Sequence, residues 1–452
     1  MRLAAALVEA EMRAQSSEAL APAVEVPPRQ VAAAISAAVF GWSLDLFDLF
    51  IILYVAPTIA PLFFSTKSPT LSLASVYGAF AVTLLMRPVG SALFGAYADK
   101  HGRKRAMVIA VFSVGVATAL MGAIPTIGQI GVAAPIIFLI LRLVQGTFVG
   151  GVIASTHTIG TETVAPRWRG LLSGFIGAGG AGLGGLMASG VFYFVSSIFA
   201  GPSFAVWGWR VMFFSGILSS ILGIFIFRSL EESPLWTRLK QEGVRVEKAP
   251  VRALMSPQYR WTVMANLAIV IGGATQYYLT SGYLPTFLAV INHLPKPAIG
   301  SVLVLSNLLI VITAPLVGHL SELIGRKSLF LAMGVLNLIL LPFLYVTLSG
   351  LGANRVGEVT WLVLAITTLG NASFTPVLVF LNERFPTSIR ATGTAVCWNV
   401  GFAIGGITPT FVTGLAQGLA GIPHSLLLVL VGAIIVYLVG GLIVPETRGR
   451  FE

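Results

Sequence analysis

The chain has 452 residues, 56% of them hydrophobic and only 10% charged, with a formal net charge of +11 and a mean hydropathy of +0.90. Soluble domains carry about 25% charged residues, so a soluble globular domain is excluded. A β-barrel would show short alternating segments, and none is present. The single cysteine, Cys397, allows no disulfide within the chain and argues against a cysteine metal site.

In chain order, residues 1–30 begin "MRLAAALVEAEMRAQSSEAL", a short apolar run followed by acids. That is not the pattern of a signal peptide, and it reads as a cytoplasmic tail. Twelve apolar segments follow, at 31–62, 71–98, 105–125, 133–162, 169–198, 207–229, 260–290, 298–322, 328–349, 358–383, 390–416 and 424–444. Each is long enough for a membrane-spanning helix. Pro and Gly supply the breaks in "GAIPTIGQIGVAAP" and "TGLAQGLAGIPHS". One long polar stretch, 228–257, divides the helices six and six. The expected units are the tail 1–30, a six-helix bundle 31–229, a cytoplasmic linker 230–258, a second bundle 259–444 and a tail 445–452. The fold class is all-α membrane protein, with both termini cytoplasmic.

The distribution of basic residues supports that topology. With the N-terminus inside, 22 of the 28 Lys and Arg fall on the cytoplasmic side. Outside lie only Lys67, Arg210, Lys296 and Arg355, and Arg87 and Arg142 fall within spans. This accounts for the positive charge, so no nucleic-acid partner is required.

The two halves echo each other. Gly95, Asp99, Gly102, Arg103 and Lys104 map onto Gly318, Glu322, Gly325, Arg326 and Lys327, each shifted by 223 positions. Glu162 with Arg169, and Glu383 with Arg390, repeat an acid and an arginine seven apart around a proline. Six-helix halves repeated in parallel describe one large transporter architecture. "GAYADKHGRK" resembles the signature of the major facilitator superfamily, and "RLVQG" resembles its helix-four motif. The resemblance implies two bundles around a central cavity that opens alternately to each side. It also implies that the charged knot is a latch on the cytoplasmic face. Gating roles are therefore expected for Gly95, Asp99, Gly102, Arg103, Glu162, Arg169, Glu322, Arg326, Glu383 and Arg390. Because Glu replaces Asp at 322, the second latch is expected to be weaker or differently shaped.

Ionisable residues at membrane depth are costly and mark function. Asp45 and Asp48 share a face near the middle of helix one. Two carboxylates so close cannot both ionise comfortably, and at least one is expected to hold a proton near neutral pH. Proton coupling is expected of the pair, with a structural ion pair to Arg87 or Arg142 as the alternative. Arg142, and Arg87 beside it, are candidates to hold a substrate carboxylate, since arginine is permanently charged and binds carboxylate bidentately. The second half offers neutral candidates: Gln276, Tyr277, Asn371, Trp398 and Asn399, which would bind the substrate's other polar groups or its apolar body, or bond helix to helix. His157 is more simply packed than a proton relay. Helix five, "GLLSGFIGAGGAGLGGLMASG", is dense in glycine and suited to close packing.

"GWSLDLFDLF", "ESPLW", "ERFPTSIRATGTAVCWNVG" and "PETRG" look like the sialate/monocarboxylate proton symporters, and "LDLFDLFIILYVAPTIA" is also similar to the aromatic-acid/proton symporters. Both resemblances imply import of an organic carboxylate anion with protons. The positive-inside pattern suits a bacterial inner membrane, and a monomer is expected. Protons are the coupling ion, and no cofactor is expected. A proton-driven exporter or an uncoupled facilitator is the alternative. An enzyme is not expected, for no nucleophile–base set appears.

Overall fold

The computed structural model describes residues 28–64, 67–101, 103–162, 168–228, 254–386 and 389–449. Among these residues there is no strand. Twelve long helices follow one another: α1 (Pro28–Phe63), α2 (Pro69–His101), α3 (Arg103–Ala123), α4 (Ala133–Glu162), α5 (Arg169–Ile198), α6 (204–228), α7 (260–290), α8 (Lys296–Ile324), α9 (Arg326–Ser349), α10 (356–383), α11 (Arg390–Leu415) and α12 (Ile422–Ile443). Most boundaries lie within three residues of the hydropathy reading. Most of the expected N-terminal tail, nearly all of the expected linker and the last three residues lie outside the described residues.

Ten of the twelve are long and apolar enough to cross a membrane. The other two depart for visible reasons. α3 opens with Arg103, Lys104 and Arg105, so its apolar part is only Val108–Ala123. α7 carries Gln276, Tyr277, Tyr278, Thr280 and Ser281 in its middle and passes through a π-helical turn at Tyr278–Gly282. Leu305, Ile312 and Leu316, at helical spacing on one face of α8, stay exposed, as a lipid-facing surface requires.

The two sequence breaks are built as turns. After Pro125, the Thr126 backbone N–H donates to Gln129 Oε1 at 2.9 Å, half of a capping box that starts a one-turn helix. That turn ends at Gly131, whose φ of +61° suits glycine.

Helix packing depends on glycines. A Cβ at Gly90 of α2 would stand 1.9 Å from the Thr147 carbonyl oxygen on α4, and one at Gly150 would stand 2.2 Å from that of Arg87. α2 and α4 thus touch backbone to backbone. The first six helices meet the last six along two seams, α5 against α8 and α2 against α11. On the α5 seam a Cβ at Gly170 would lie 2.4 Å from the Gly318 carbonyl oxygen, and one at Gly174 would lie 2.6 Å from that of Ala314. The glycine density of helix five is a device for close approach, as in other membrane helix pairs.

Candidate functional site

The acids of α1 are both buried, and they face different neighbours. Asp45 Oδ1 accepts a hydrogen bond from Arg87 Nη2 of α2 at 3.1 Å, an ion pair shut away from solvent. Asp48 Oδ2 instead accepts the hydroxyl of Ser219 on α6 at 2.7 Å. Arg142 is turned to a neutral partner: its Nη1 donates to Gln145 Oε1 at 2.7 Å, and Gln145 Nε2 donates to Thr118 Oγ1 at 2.7 Å. Its guanidinium lies over the Phe138 ring, 5.5 Å from the centroid. Thr118 and Asp48 Oδ1 both crowd Gly216, so this amide–hydroxyl chain leads from Arg142 towards Asp48.

Both acids line one small pocket, with Gly41, Leu44, Val111, Val114 and Val149. Asp45 Oδ2, Asp48 Oδ1 and two nitrogens on each of Arg87 and Arg142 have no hydrogen-bond partner within the protein. Buried polar groups are normally satisfied, so this concentration of open valences marks the place where chemistry is expected.

From Arg87 the site continues into rings. Its guanidinium lies over Phe402 of α11, 5.6 Å from the centroid. Phe402 stacks on Trp398 at 5.6 Å and 11°, and Trp398 meets Phe374 of α10 at 4.9 Å. Tyr277 of α7 stacks on Phe374 at 5.7 Å. Trp42 of α1 stands edge-on to Trp398 at 6.0 Å, anchored by Nε1 donating to the Gly177 carbonyl at 2.9 Å. The cluster therefore joins the first half of the chain to the second. Tyr277 and Trp398 were legible as candidates. Trp42, Phe374 and Phe402 were not, because an aromatic residue inside an apolar span reads as packing.

The other neutral candidates are placed differently. Gln276 accepts from Asn337 Nδ2 of α9 at 2.7 Å and donates to the Gly272 carbonyl at 3.2 Å. Asn371 donates to Ser281 at 3.0 Å and to the Thr367 carbonyl at 2.8 Å. Asn399 donates to the Ala395 carbonyl one turn back, at 3.0 Å. Gln276 and Asn371 thus bond within the second half.

Contacts cross the seam at both ends. At the extracellular end Tyr77 donates to Thr286 at 2.7 Å and its ring lies 5.2 Å from that of Tyr283. At the cytoplasmic end the Gly170 backbone N–H donates to Glu322 Oε1 at 2.7 Å, and Trp168 stacks on His319 at 5.9 Å. Behind Glu322, Arg326 holds it at 2.5 Å and grips Glu383 with two bonds of 2.9 and 3.2 Å. Thr447 donates to Glu383 at 2.7 Å. Glu446 accepts the backbone N–H groups of Arg326 and Lys327 at 2.9 and 3.1 Å, capping α9.

Among the expected gating residues, then, Glu322, Arg326 and Glu383 form one cluster. Glu383 is engaged by Arg326, and Arg390 Nε donates to the Phe385 carbonyl at 3.3 Å. Arg169 opens α5, beside Gly170. Gly95, Asp99, Arg103 and Glu162 lie on helices; their side chains, that of His157, and Gly102 itself lie outside the described residues.

The family model described as Major Facilitator Superfamily matches residues 31–409. The chain is 28% identical over 386 residues to the inner membrane metabolite transport protein YhjE of Escherichia coli (strain K12), covering 84% of this chain and 87% of that one. It is also 28% identical over 427 residues to the proline/betaine transporter of the same organism, covering 92% of this chain and 84% of the other. The partially occluded inward-open structure of the xylose transporter XylE from E. coli matches with a TM-score of 0.69 at 19% identity, over 93% of this chain and 99% of that one. These relatives are metabolite and proline/betaine transporters rather than sialate or monocarboxylate carriers, so the narrower resemblance read from the motifs does not carry over to them.

Proposed function

The chain belongs to the major facilitator superfamily, and is thus an integral inner-membrane transporter of small metabolites rather than an enzyme; on that premise we propose that it imports a small carboxylate-bearing solute together with protons, by alternating access. The observation that carries the reading is the buried pair of Arg87 and Asp45 at the aromatic seam between the halves. A proton on Asp45 releases Arg87, and the freed guanidinium takes the substrate carboxylate. Neither step is favourable alone: a deprotonated Asp45 competes with the substrate, and a protonated one without substrate leaves a buried charge unpaired. Proton and carboxylate therefore enter together. Asp48, one turn nearer the extracellular end and bonded by a neutral hydroxyl, lines the same cavity and hands the proton on. Arg142 keeps that region electropositive through Gln145 and Thr118 rather than holding the substrate.

Proline and betaine, the substrates for which one relative is named, carry a carboxylate, which agrees with a site built on Arg87. The latch of Glu322 on Gly170 closes the cytoplasmic side while the solute is loaded.

Reconstituted protein carrying Asp45→Asn should lose proton-driven accumulation yet keep exchange of labelled for unlabelled solute, because Arg87 is then always free. Accumulation that persists in Asp45→Asn and collapses with a protonophore would remove Asp45 from the coupling. Wild-type uptake indifferent to the pH gradient would favour a facilitator.

A further inference from the structure

Asp45 and Asp48 each commit one carboxylate oxygen, and they commit it in different directions. Asp45 Oδ1 is taken by Arg87 of α2 at 3.1 Å, and Asp48 Oδ2 by Ser219 of α6 at 2.7 Å. The other two oxygens, Asp45 Oδ2 and Asp48 Oδ1, are buried with no hydrogen-bond partner in the protein. Thr118 stands near Asp48 but has no hydrogen to give it. Its hydroxyl donates to the Val114 carbonyl at 2.9 Å and accepts from Gln145 at 2.7 Å.

What the two acids share is the small pocket. Its lining comes from α1, α3 and α4, so it lies within the first half of the chain and apart from the seam that a solute would enter. It has room for about one water molecule. Apart from the acids, its walls are Gly41, Leu44, Val111, Val114 and Val149. A hard metal cation takes about six or more oxygens, which walls of this kind do not supply. A buried water is held by as few as about two polar partners, and two open carboxylate oxygens meet that need.

Resting on the proton-coupling reading above, we propose that this pocket binds a water molecule that bridges Asp48 Oδ1 to Asp45 Oδ2 and carries the proton between them. The O–H bond of a protonated Asp48 breaks as its hydrogen passes to the water. A hydrogen of the water passes to Asp45 Oδ2, where the new O–H bond forms. The water is left as it was, the negative charge has moved from Asp45 to Asp48, and Arg87 is released. Ser219 keeps its bond to Asp48 throughout, so the transfer needs no swing of either side chain. Val114 and Val149 are positioning residues, because their methyl groups set the space that holds the water.

Acid-minus-alkaline infrared difference spectra of the full chain in lipid nanodiscs test this without any solute. The wild type should show a water O–H band that shifts in water labelled with heavy oxygen. Asp48→Asn and Val149→Leu should both lose that band, and Val149→Thr, which keeps the volume, should retain it. After a rapid acid jump, the carboxyl band of Asp45, assigned with Asp45→Asn, should rise at least about tenfold more slowly in Val149→Leu than in the wild type. Val114→Leu fills the pocket from α3 and gives the same test should Val149→Leu fail to fold. A wild type without the water band, or a band unchanged in Asp48→Asn and the filled variants, overturns the proposal. An Asp45 band that rises equally fast in the filled variants overturns the relay. A water band abolished by sodium chloride but not by choline chloride gives the pocket to a cation and overturns the water assignment. The uptake assay of Asp45→Asn judges the coupling separately: lost coupling with the water band intact removes that reading, not the water.

Discussion

The backbone N–H of Gly170 donates to the carboxylate of Glu322 at 2.7 Å, and by this bond the second half of the chain holds the first at its cytoplasmic end. The carboxylate of Glu322, on α8, meets the first turn of α5, where free N–H groups and the helix dipole favour an anion. Arg326 fixes it from behind, and Glu383 with Thr447 fixes Arg326 in turn. The replacement of Asp by Glu has given a latch that reaches across to a backbone donor.

Gly170→Ala should open this end. Its Cβ would meet the Gly318 carbonyl oxygen at 2.4 Å and Glu322 Cγ at 2.7 Å, and two helix backbones cannot yield as a flexible side chain would. Spin labels across the cytoplasmic ends of α5 and α8 should report a longer distance. Glu322→Ala should shift the distance the same way and lower stability by about 1.5–3 kcal/mol, the worth of a hydrogen bond to a charged group. An unchanged distance in both variants would show that the latch is not what closes this face.

The Asp45–Arg87 pair predicts strong non-additivity. Asp45→Asn alone leaves a buried arginine without its partner and should cost about 3–5 kcal/mol. Asp45→Asn combined with Arg87→Gln should recover much of that, since the two residues touch and their effects cannot be independent. Thermal unfolding of Asp45→Asn, Arg87→Gln and the double variant measures the coupling; additive losses would mean the ion pair contributes nothing specific.

Glu446 gives a pH dependence with a definite sign. Burial raises its affinity for a proton, but backbone donors from Arg448, Arg326, Lys327 and Thr447 outweigh burial and hold the carboxyl below its usual range. A carboxylate more acidic in the folded state contributes stability above its unfolded value of about 4.3, and loses it as pH falls through the lower folded value. The unfolding temperature should therefore drop more steeply below about pH 4 in the wild type than in Glu446→Gln. Parallel curves would show that the cap on α9 has no energetic weight.

Gly90→Ala and Gly150→Ala should each damage the α2–α4 contact, because the added methyl meets a carbonyl oxygen at 1.9 or 2.2 Å. The loss should be about 1–3 kcal/mol, as for overpacking a tight core. In Gly150→Ala the strained carbonyl is that of Arg87 itself, so proton-driven uptake should fall more than in Gly90→Ala. Wild-type uptake and stability in both would mean that the two helices can separate freely.

Much of this molecule was legible in one dimension. The count of helices, their limits and their orientation follow from apolar length and the placement of basic residues, because partition into a membrane acts segment by segment and does not depend on which helices touch. The repeat of the charged knot named Glu322 and Arg326 in the same way. Partners were another matter. Asp45 and Asp48 are three residues apart, a rotation of about 300° on an α-helix, and the remaining difference of about 60° is enough to send one to Arg87 on α2 and the other to Ser219 on α6. The spacing of seven associated Glu383 with Arg390, yet the folded chain brings Arg326 to Glu383 from 57 positions away. Phe402 and Phe374 are apolar rings in apolar spans, and only the crossing of α10 and α11 beside Arg87 makes them walls of a site. Hydrophobicity and charge asymmetry are properties of segments and survive in the sequence; which face of a helix meets which neighbour is fixed by the packing of twelve helices together, and that only the tertiary structure decided.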